Sequence, residues 1–191
     1  MNLNINRMTF EKYWSYYKSI ENMFINTIQY VSPSRANKET YSDEYAKIIF
    51  LCGSEIDSIL KLICKLENIQ PKDKRYTMAD YSIFIDKTTL LKEECYCPKC
   101  MTTIEEEQLM IAPFDKIQIG IPYSGLDWWE DYQSLKHNRM ENAKKGNLGN
   151  ATSMLIAHYI LIRFSINYLD KNSGIDYVKE HNQSSILIPC L

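Results

Sequence analysis

Hydrophobic residues recur at three- and four-residue intervals along most of the chain, the spacing that places them on one face of an α-helix. The pattern is strongest in four segments, which are residues 9–30, 42–67, 127–143 and 150–169. A fifth, shorter segment begins near Thr77 and contains more β-branched residues. Together these segments predict a mainly α fold, an antiparallel bundle of amphipathic helices.

Residues 92–124 break this pattern. They contain the prolines of "CPKC" and "IAPF", and Ile117, Ile119 and Ile121 alternate with other residues as in a β-strand. The tail "SSILIPCL" could form an edge strand beside them, because an edge strand tolerates proline. We therefore expect a single domain of residues 1–191 with a small cysteine-containing insertion at 92–124 that holds short strands.

The composition of the chain limits the partners that it can attract. Its 191 residues are 45% hydrophobic, which is enough to bury one substantial core. The 22 Lys and Arg nearly balance the 24 Asp and Glu, so the net charge of -2 provides no overall field for nucleic acid or an anionic membrane. Any anion binding must therefore be local.

The N-terminus and the longest apolar run indicate the cellular compartment to expect. The start "MNLNINRMTF" has neither the basic residues nor the continuous apolar core of a secretory signal. The longest apolar run, "MLIAHYILI", is far shorter than the ~20 residues that a membrane-spanning helix needs. We expect a cytoplasmic protein that does not enter a membrane.

One acidic residue, Glu55, interrupts the apolar stripe of the second predicted helix. The rest of the stripe is formed by Ile48, Cys52, Ile59, Leu62 and Leu66. Burying a carboxylate without a partner is costly, so Glu55 must be paired, neutral or facing a cleft. We expect its partner to be Lys136, His137 or Arg139.

The segment "WWEDYQSLKHNR" brings these basic groups together. On a helix, Trp129, Tyr132, Lys136 and Arg139 lie on one face, so the cations project on the side that the aromatic residues bury. The tryptophans would anchor the helix and hold its basic end against the bundle interior. His137 is flanked by cations that disfavour its protonated form, which suits a neutral base near pH 7.

Glu55 and a histidine of the last predicted helix, His158, also have purely structural interpretations. Glu55 and either Lys136 or Arg139 can form an internal salt bridge that fixes the register of the helices and has no other task. His158 interrupts the apolar seam of the last predicted helix, where a histidine can simply be a hydrogen-bonded core residue.

Three motifs resemble the HEPN superfamily, small α-helical nucleotide-binding or RNase domains of bacterial toxin and phage-defence systems. They are "SEIDSILK", "WWEDYQSLKHNR" and, after a glycine break, "NATSMLIAHYIL", within residues 42–170. The resemblance implies a helical fold and a dimer that cleaves RNA at its interface without metal. HEPN nucleases carry an arginine a few residues before the catalytic histidine, whereas here His137 precedes Arg139 with one residue between them.

The resemblance implies a possible RNA-cleavage chemistry. His137 would be the general base on the ribose 2′-hydroxyl, Arg139 and Lys136 would stabilise the phosphorane charge, and Glu55 would orient one of them. This chemistry requires no cofactor.

The same resemblance implies RNA or a nucleotide as ligand and a homodimer as the assembly. Trp129, Tyr132 and His158 would then contribute to the binding site. The aromatic residues that nearly encircle the first predicted helix also offer an outer surface for a partner or a second copy of the chain. The alternative is a non-catalytic nucleotide- or protein-binding module in which the basic cluster is a structural salt-bridge network.

Cysteines suggest a structural zinc site. Cys97 and Cys100 have the two-residue spacing of a zinc knuckle, and Cys95 could be a third ligand. A fourth ligand would have to come from a carboxylate, another chain, or one of the residues Cys52, Cys64, Cys190 and His181. The alternative is a cluster of reduced thiols on a surface loop, which would be prone to oxidation.

Overall fold

The computed structural model describes residues 7–99, 107–173 and 183–190. Within these residues, six α-helices and two short strands form the fold, and the predicted mainly α class is confirmed. The helices are α1 (Arg7–Ile28), α2 (Asp43–Leu66), α3 (Met78–Lys87), α4 (Thr89–Glu93), α5 (Asp127–His137) and α6 (Leu148–Ser173). None of the described helices has the length and apolar character needed to cross a membrane.

The core forms where α2 packs against both α1 and α6. Fully buried aliphatic residues from α2 and α6 meet there, each contributing about 1.5–3 kcal/mol by leaving water. The buried stripe of α2 is wider than the spacing predicted, because Ile49, Ile56, Leu60 and Ile63 are also buried. Glu55 consequently lies at the margin of the stripe and is only half-buried.

Local capping signals fix where two of the helices begin. The Ser42 hydroxyl accepts a hydrogen bond from the Tyr45 amide at 3.1 Å and so caps the start of α2. At the start of α3, the Asp80 carboxylate accepts from the Thr77 amide at 2.8 Å, which is half of a capping box. The predicted helix near Thr77 is therefore confirmed as well.

Helix α5 is shorter than the sequence predicts. It begins at Asp127, as the sequence predicts, with Leu126 as its N-cap. It ends at His137, since Asn138 has φ -150 and ψ 82 and leaves the helical conformation. Arg139 therefore lies beyond the helix and does not share a helix face with Tyr132, contrary to the prediction.

The two strands are β1 (Tyr96–Pro98) and β2 (Leu187–Pro189), which pair antiparallel. The predicted edge strand in the C-terminal tail is thus confirmed. The strand predicted from Ile117, Ile119 and Ile121 is wrong, because that segment forms turns and loops. The division of the chain into one domain with an insertion stays a prediction.

Candidate functional site

Glu55 and the basic residues of α5 lie on different sides of α2. Gly53 and Asp57 face α5, since a Cβ atom at position 53 would lie 2.5 Å from the Tyr132 ring and the charge of Asp57 acts on Tyr132. Glu55 is two residues from each of them, about 200° around the helix axis. Its charge acts on Tyr13 of α1 instead. The predicted pairing of Glu55 with the cations of α5 is therefore wrong.

Glu55 is left without a charged partner in the described part of the chain. Burial raises the pKa of its carboxyl group above the ordinary value. In this position it cannot orient Lys136 or Arg139, so the role predicted for it in catalysis has no structural support.

The three basic residues at the end of α5 do not converge. Lys136 and His137 are exposed in the last helical turn, where positive charge interacts favourably with the helix dipole. Lys136 Nζ lies 5.6 Å from the centre of the Tyr132 ring. The Arg139 guanidinium turns away and pairs with Asp43 at the exposed start of α2. The cluster predicted from spacing is thus divided between two surfaces.

The tryptophans anchor α5 as predicted. Trp128 is buried, and its indole Nε1–H donates to the Pro113 carbonyl at 2.7 Å. The Trp129 ring is also buried and lies 5.0 Å from the Tyr132 ring, centre to centre. The Trp128 hydrogen bond ties α5 to the loop at Pro113, and Gly53 of α2 permits the close approach of the Tyr132 ring.

His158 is a core residue. It is fully buried in α6. Its imidazole meets the Tyr17 ring edge to face, with the ring centres 5.5 Å apart. Within the described residues neither ring nitrogen has a hydrogen-bond partner, so the predicted hydrogen-bonded histidine is wrong in that respect. Burial lowers the pKa of His158 to about 3, so the imidazole is neutral.

A groove of about 790 Å³ lies between α2, α5 and the loop that leads into α3. Its basic lining residues come from all three of these segments and are Lys61, Lys65, Lys74, Arg75 and Lys136. Lys61 and Lys65 lie one turn apart on α2, and Lys136 approaches from α5. The groove therefore concentrates positive charge that the net charge of the chain conceals.

Little of this positive charge is neutralised by the protein itself. Asp57 also lines the groove, where its carboxylate pairs with Lys61 and accepts from the Tyr81 hydroxyl at 2.6 Å. The remaining four cations of the groove form no ion pair with any other residue in the parts of the chain described. These four cations are therefore available to pair with an anionic ligand.

Aromatic rings line the same groove. Trp129 and Tyr132 are buried beneath it, while Tyr76 is half-buried and stacks on Tyr81 with ring centres 6.1 Å apart. Tyr123 lies at the edge and is 41% exposed. Predicted binding residues Trp129 and Tyr132 are therefore part of the groove, together with two tyrosines that the spacing did not indicate.

The backbone at Tyr123 is strained. Tyr123 and Ser124 have φ of 49 and 55, a left-handed conformation that bulky residues rarely adopt and that costs about 1–3 kcal/mol. Hydrogen bonds hold it in place: Ser124 accepts from the Gln118 amide at 2.8 Å and its hydroxyl donates to the Met78 carbonyl at 3.4 Å. The result is an aromatic ring held out at the rim of the groove.

Most groove cations were missed by sequence reasoning, although two signals point to them. The segment "KDKR" places three cations in four residues just before α3. Asp57, Lys61 and Lys65 follow one another at four-residue steps, which aligns them on one side of α2.

The predicted metal ligands are only partly described. Cys97 is buried in β1, where its Sγ lies 3.9 Å from the amide oxygen of Gln108, and Cys95 is half-buried just before it. Cys52 and Cys64 are buried within α2, away from the strands. Cys100 and His181 lie outside the described residues.

Comparison of the chain with protein-family profiles, with curated proteins and with solved structures found no match. The resemblance to HEPN proteins thus stays a prediction from three short motifs. The geometry of the groove carries the functional interpretation.

Proposed function

We propose that this protein binds RNA or a nucleotide in the groove between α2, α5 and the loop before α3. The observation that carries the proposal is the combination, in one solvent-accessible groove, of four cations without ion pairs and several aromatic rings. Phosphates would contact the cations, and a base would stack on an exposed ring.

The charge of the groove supports a phosphate ligand. Lys65, Lys74, Arg75 and Lys136 approach from three segments, so a phosphate between them would be contacted from several sides. Arg75 can form two parallel hydrogen bonds to one phosphate, and lysines add point charges. Since the whole chain has a net charge of -2, this attraction would act at the groove rather than over the surface.

The size and aromatic lining of the groove support a base beside the phosphate. A volume of about 790 Å³ falls within the range of small-ligand sites. Tyr123 and Tyr76 present ring surface at positions that a base can reach. Stacking of this kind contributes about 1–3 kcal/mol for each base and tolerates any sequence.

RNA cleavage is a second candidate, favoured by one observation. His137 is exposed and directly follows Lys136, whose side chain lines the groove. A bound RNA that extends past Lys136 would approach the imidazole. Replacing His137 with alanine should then abolish cleavage of a labelled RNA while leaving its binding unchanged, and unchanged cleavage would exclude His137 as the base.

Binding is tested by removing charge from the groove. Substituting Lys65, Arg75 and Lys136 with glutamine should weaken binding of a fluorescent single-stranded RNA by at least about 10-fold at low salt. Fluorescence anisotropy over a range of salt concentrations should also show a shallower salt dependence, by about 0.7 in slope for each phosphate that the variant no longer neutralises.

The matched control removes the same charge elsewhere. Lys87, Lys116 and Lys144 are exposed and lie outside the groove lining, so their replacement by glutamine should leave most of the affinity intact. Equal reductions of affinity in the two triple variants would contradict a specific site. The expected homodimer stays a prediction, which sedimentation of the wild-type chain tests separately.

A further inference from the structure

The small sheet places two cysteines from distant parts of the chain opposite each other. In the β1–β2 ladder, Tyr96 pairs with Pro189, so the next pair along the two strands is Cys95 with Cys190. The Cys190 amide donates to the Cys95 carbonyl at 3.0 Å, which extends the ladder to that pair. The fold therefore brings together two thiols that are separated by nearly half of the chain.

The spacing of this pair suits a disulfide. The bond from the Cys190 amide to the Cys95 carbonyl is that of a hydrogen-bonded pair, whose Cα atoms lie about 5.5 Å apart in antiparallel strands. The usual Cα separation across a disulfide is about 5.5–6 Å. Paired residues also project from the same face of the sheet, and the two thiols are in contact. A bond between these sulfurs needs no rearrangement of the strands.

A third thiol, that of Cys97, is less suited to this bond. Cys97 pairs with Ile188, so it lies diagonally across the ladder from Cys190, although the two thiols also touch. Cys97 is buried, whereas Cys95 and Cys190 are each half-buried and open in part to solvent. Register and exposure thus favour Cys95 as the partner of Cys190.

We propose that Cys95 and Cys190 form a site of reversible oxidation, at which a small disulfide such as oxidised glutathione converts the two thiols into a cross-strand disulfide. In the reducing cytoplasm that the sequence predicts, both residues are thiols at rest. They become oxidised when the surrounding glutathione pool does. This inference is independent of the proposed RNA binding.

The reaction is two successive thiol–disulfide exchanges. The Cys95 thiolate attacks one sulfur of the small disulfide, and one glutathione leaves with the proton that Cys95 gave up. The Cys190 sulfur then attacks the Cys95 sulfur of this mixed disulfide, and the second glutathione leaves with the proton of Cys190. The two cysteines lose two electrons, and the small disulfide gains them.

The disulfide ties the C-terminal segment to the rest of the fold. The ladder between β1 and β2 has three residues in each strand, and an isolated two-stranded ladder is marginally stable in water. The same segment supplies the Ser185 amide, which donates to Glu21 of α1 at 2.9 Å. A covalent bond at Cys190 closes a long loop and restricts the unfolded chain, so oxidation stabilises this contact.

The test is oxidation of the full-length chain, purified under reducing conditions, by excess oxidised glutathione. Trypsin should then release residues 93–99 linked to residues 180–191, and dithiothreitol should separate them. The linked pair should persist in Cys97→Ser and in Cys64→Ser, whose thiol is buried in α2, and should fall below a tenth in Cys95→Ser. Oxidised wild-type protein should melt about 5–15 °C above the reduced form.

Four results would overturn the proposal. They are wild-type protein that stays reduced, a product in which Cys190 is not linked, a linkage that persists in Cys95→Ser, and an oxidised form that melts no higher than the reduced one. The linked peptides and the melting temperature are measured on the wild-type chain, so the test does not depend on the folding of a variant.

Discussion

Two polar clusters of this protein differ in whether other residues of the chain supply their hydrogen-bond and ion-pair partners. At the contact between α1 and the C-terminal segment, the carboxylate of Glu21 is fully buried and accepts hydrogen bonds from the Tyr17 hydroxyl at 3.0 Å and the Ser185 amide at 2.9 Å. The Ser184 hydroxyl and the Lys18 ammonium also donate to it. Every partner of this carboxylate comes from the protein's own chain.

The groove between α2 and α5 has the opposite character. Four of its cations have no ion pair with another described residue, and its rim carries an exposed tyrosine in a strained conformation. Charges satisfied by the chain stabilise the fold, whereas charges left open to solvent are available to a ligand. Removing charge should therefore cost stability at Glu21 and affinity in the groove.

The largest expected effect is at Glu21. Glu21→Ala removes the acceptor of several buried donors, so the free energy of unfolding should fall by about 3–5 kcal/mol, measured by urea denaturation. Burial opposes ionisation of Glu21, but the hydrogen bonds from Lys18 and Ser184 outweigh it and hold its pKa below the ordinary value. Its contribution is thus present near neutral pH and lost only as the pH falls through that lowered pKa.

Glu55→Gln is the matched control for this comparison. Glu55 is half-buried with a raised pKa and no ion pair among the described residues, so its replacement should leave stability within about 1 kcal/mol or raise it. Similar destabilisation by the two substitutions would contradict the distinction between a satisfied and an unsatisfied carboxylate.

His158 should make stability fall in mild acid. Its pKa is about 3 in the folded protein against 6.5 for an unperturbed histidine, so the unfolded chain binds an extra proton between these values. The free energy of unfolding should then fall by up to about 1.4 kcal/mol for each pH unit below 6.5 from this group alone. His158→Leu should exceed the wild type in stability by about 2 kcal/mol more at pH 5 than at pH 7.

The exposed His137 provides the control for that pH experiment. His137→Leu should follow the wild type at both pH values, because the His137 side chain is exposed and takes no part in the core. An identical pH dependence for wild type and His158→Leu would show that His158 is not held neutral by the core.

The smallest expected change in stability is at Tyr123, where stability and binding should move in opposite directions. Tyr123→Gly relieves the left-handed backbone, so the free energy of unfolding should not fall and should rise by up to about 1 kcal/mol. Removal of the ring should weaken RNA binding by about 10-fold. Tyr30→Ala, at a residue that is 87% exposed and outside the groove lining, should change neither quantity.

The sequence predicted elements whose signals are local. The caps of α2 and α3 are formed by residues within one turn of each helix start, Ser42 accepting from the Tyr45 amide and Asp80 accepting from the Thr77 amide. The alternation of Ile117, Ile119 and Ile121 was misleading, because Gly120 has φ 89 and interrupts the extended backbone.

The candidate site was predicted only in part, for reasons of tertiary structure. Trp129, Tyr132 and Lys136 do line the groove. The assignment of Arg139 failed because α5 ends at His137, although the glycines that signal a break occur only at 146 and 149. The contribution of the "KDKR" loop depends on how the chain folds back between α2 and α3, which local spacing does not reveal.

The most direct test of the central claim is to locate a bound RNA. A single-stranded RNA containing 4-thiouridine, crosslinked to the protein by light and digested for mass spectrometry, should mark peptides that contain Tyr76, Tyr123 or Lys136. Excess unlabelled RNA should suppress these crosslinks. Crosslinks confined to peptides outside the groove, such as the one containing Tyr30, would contradict the account.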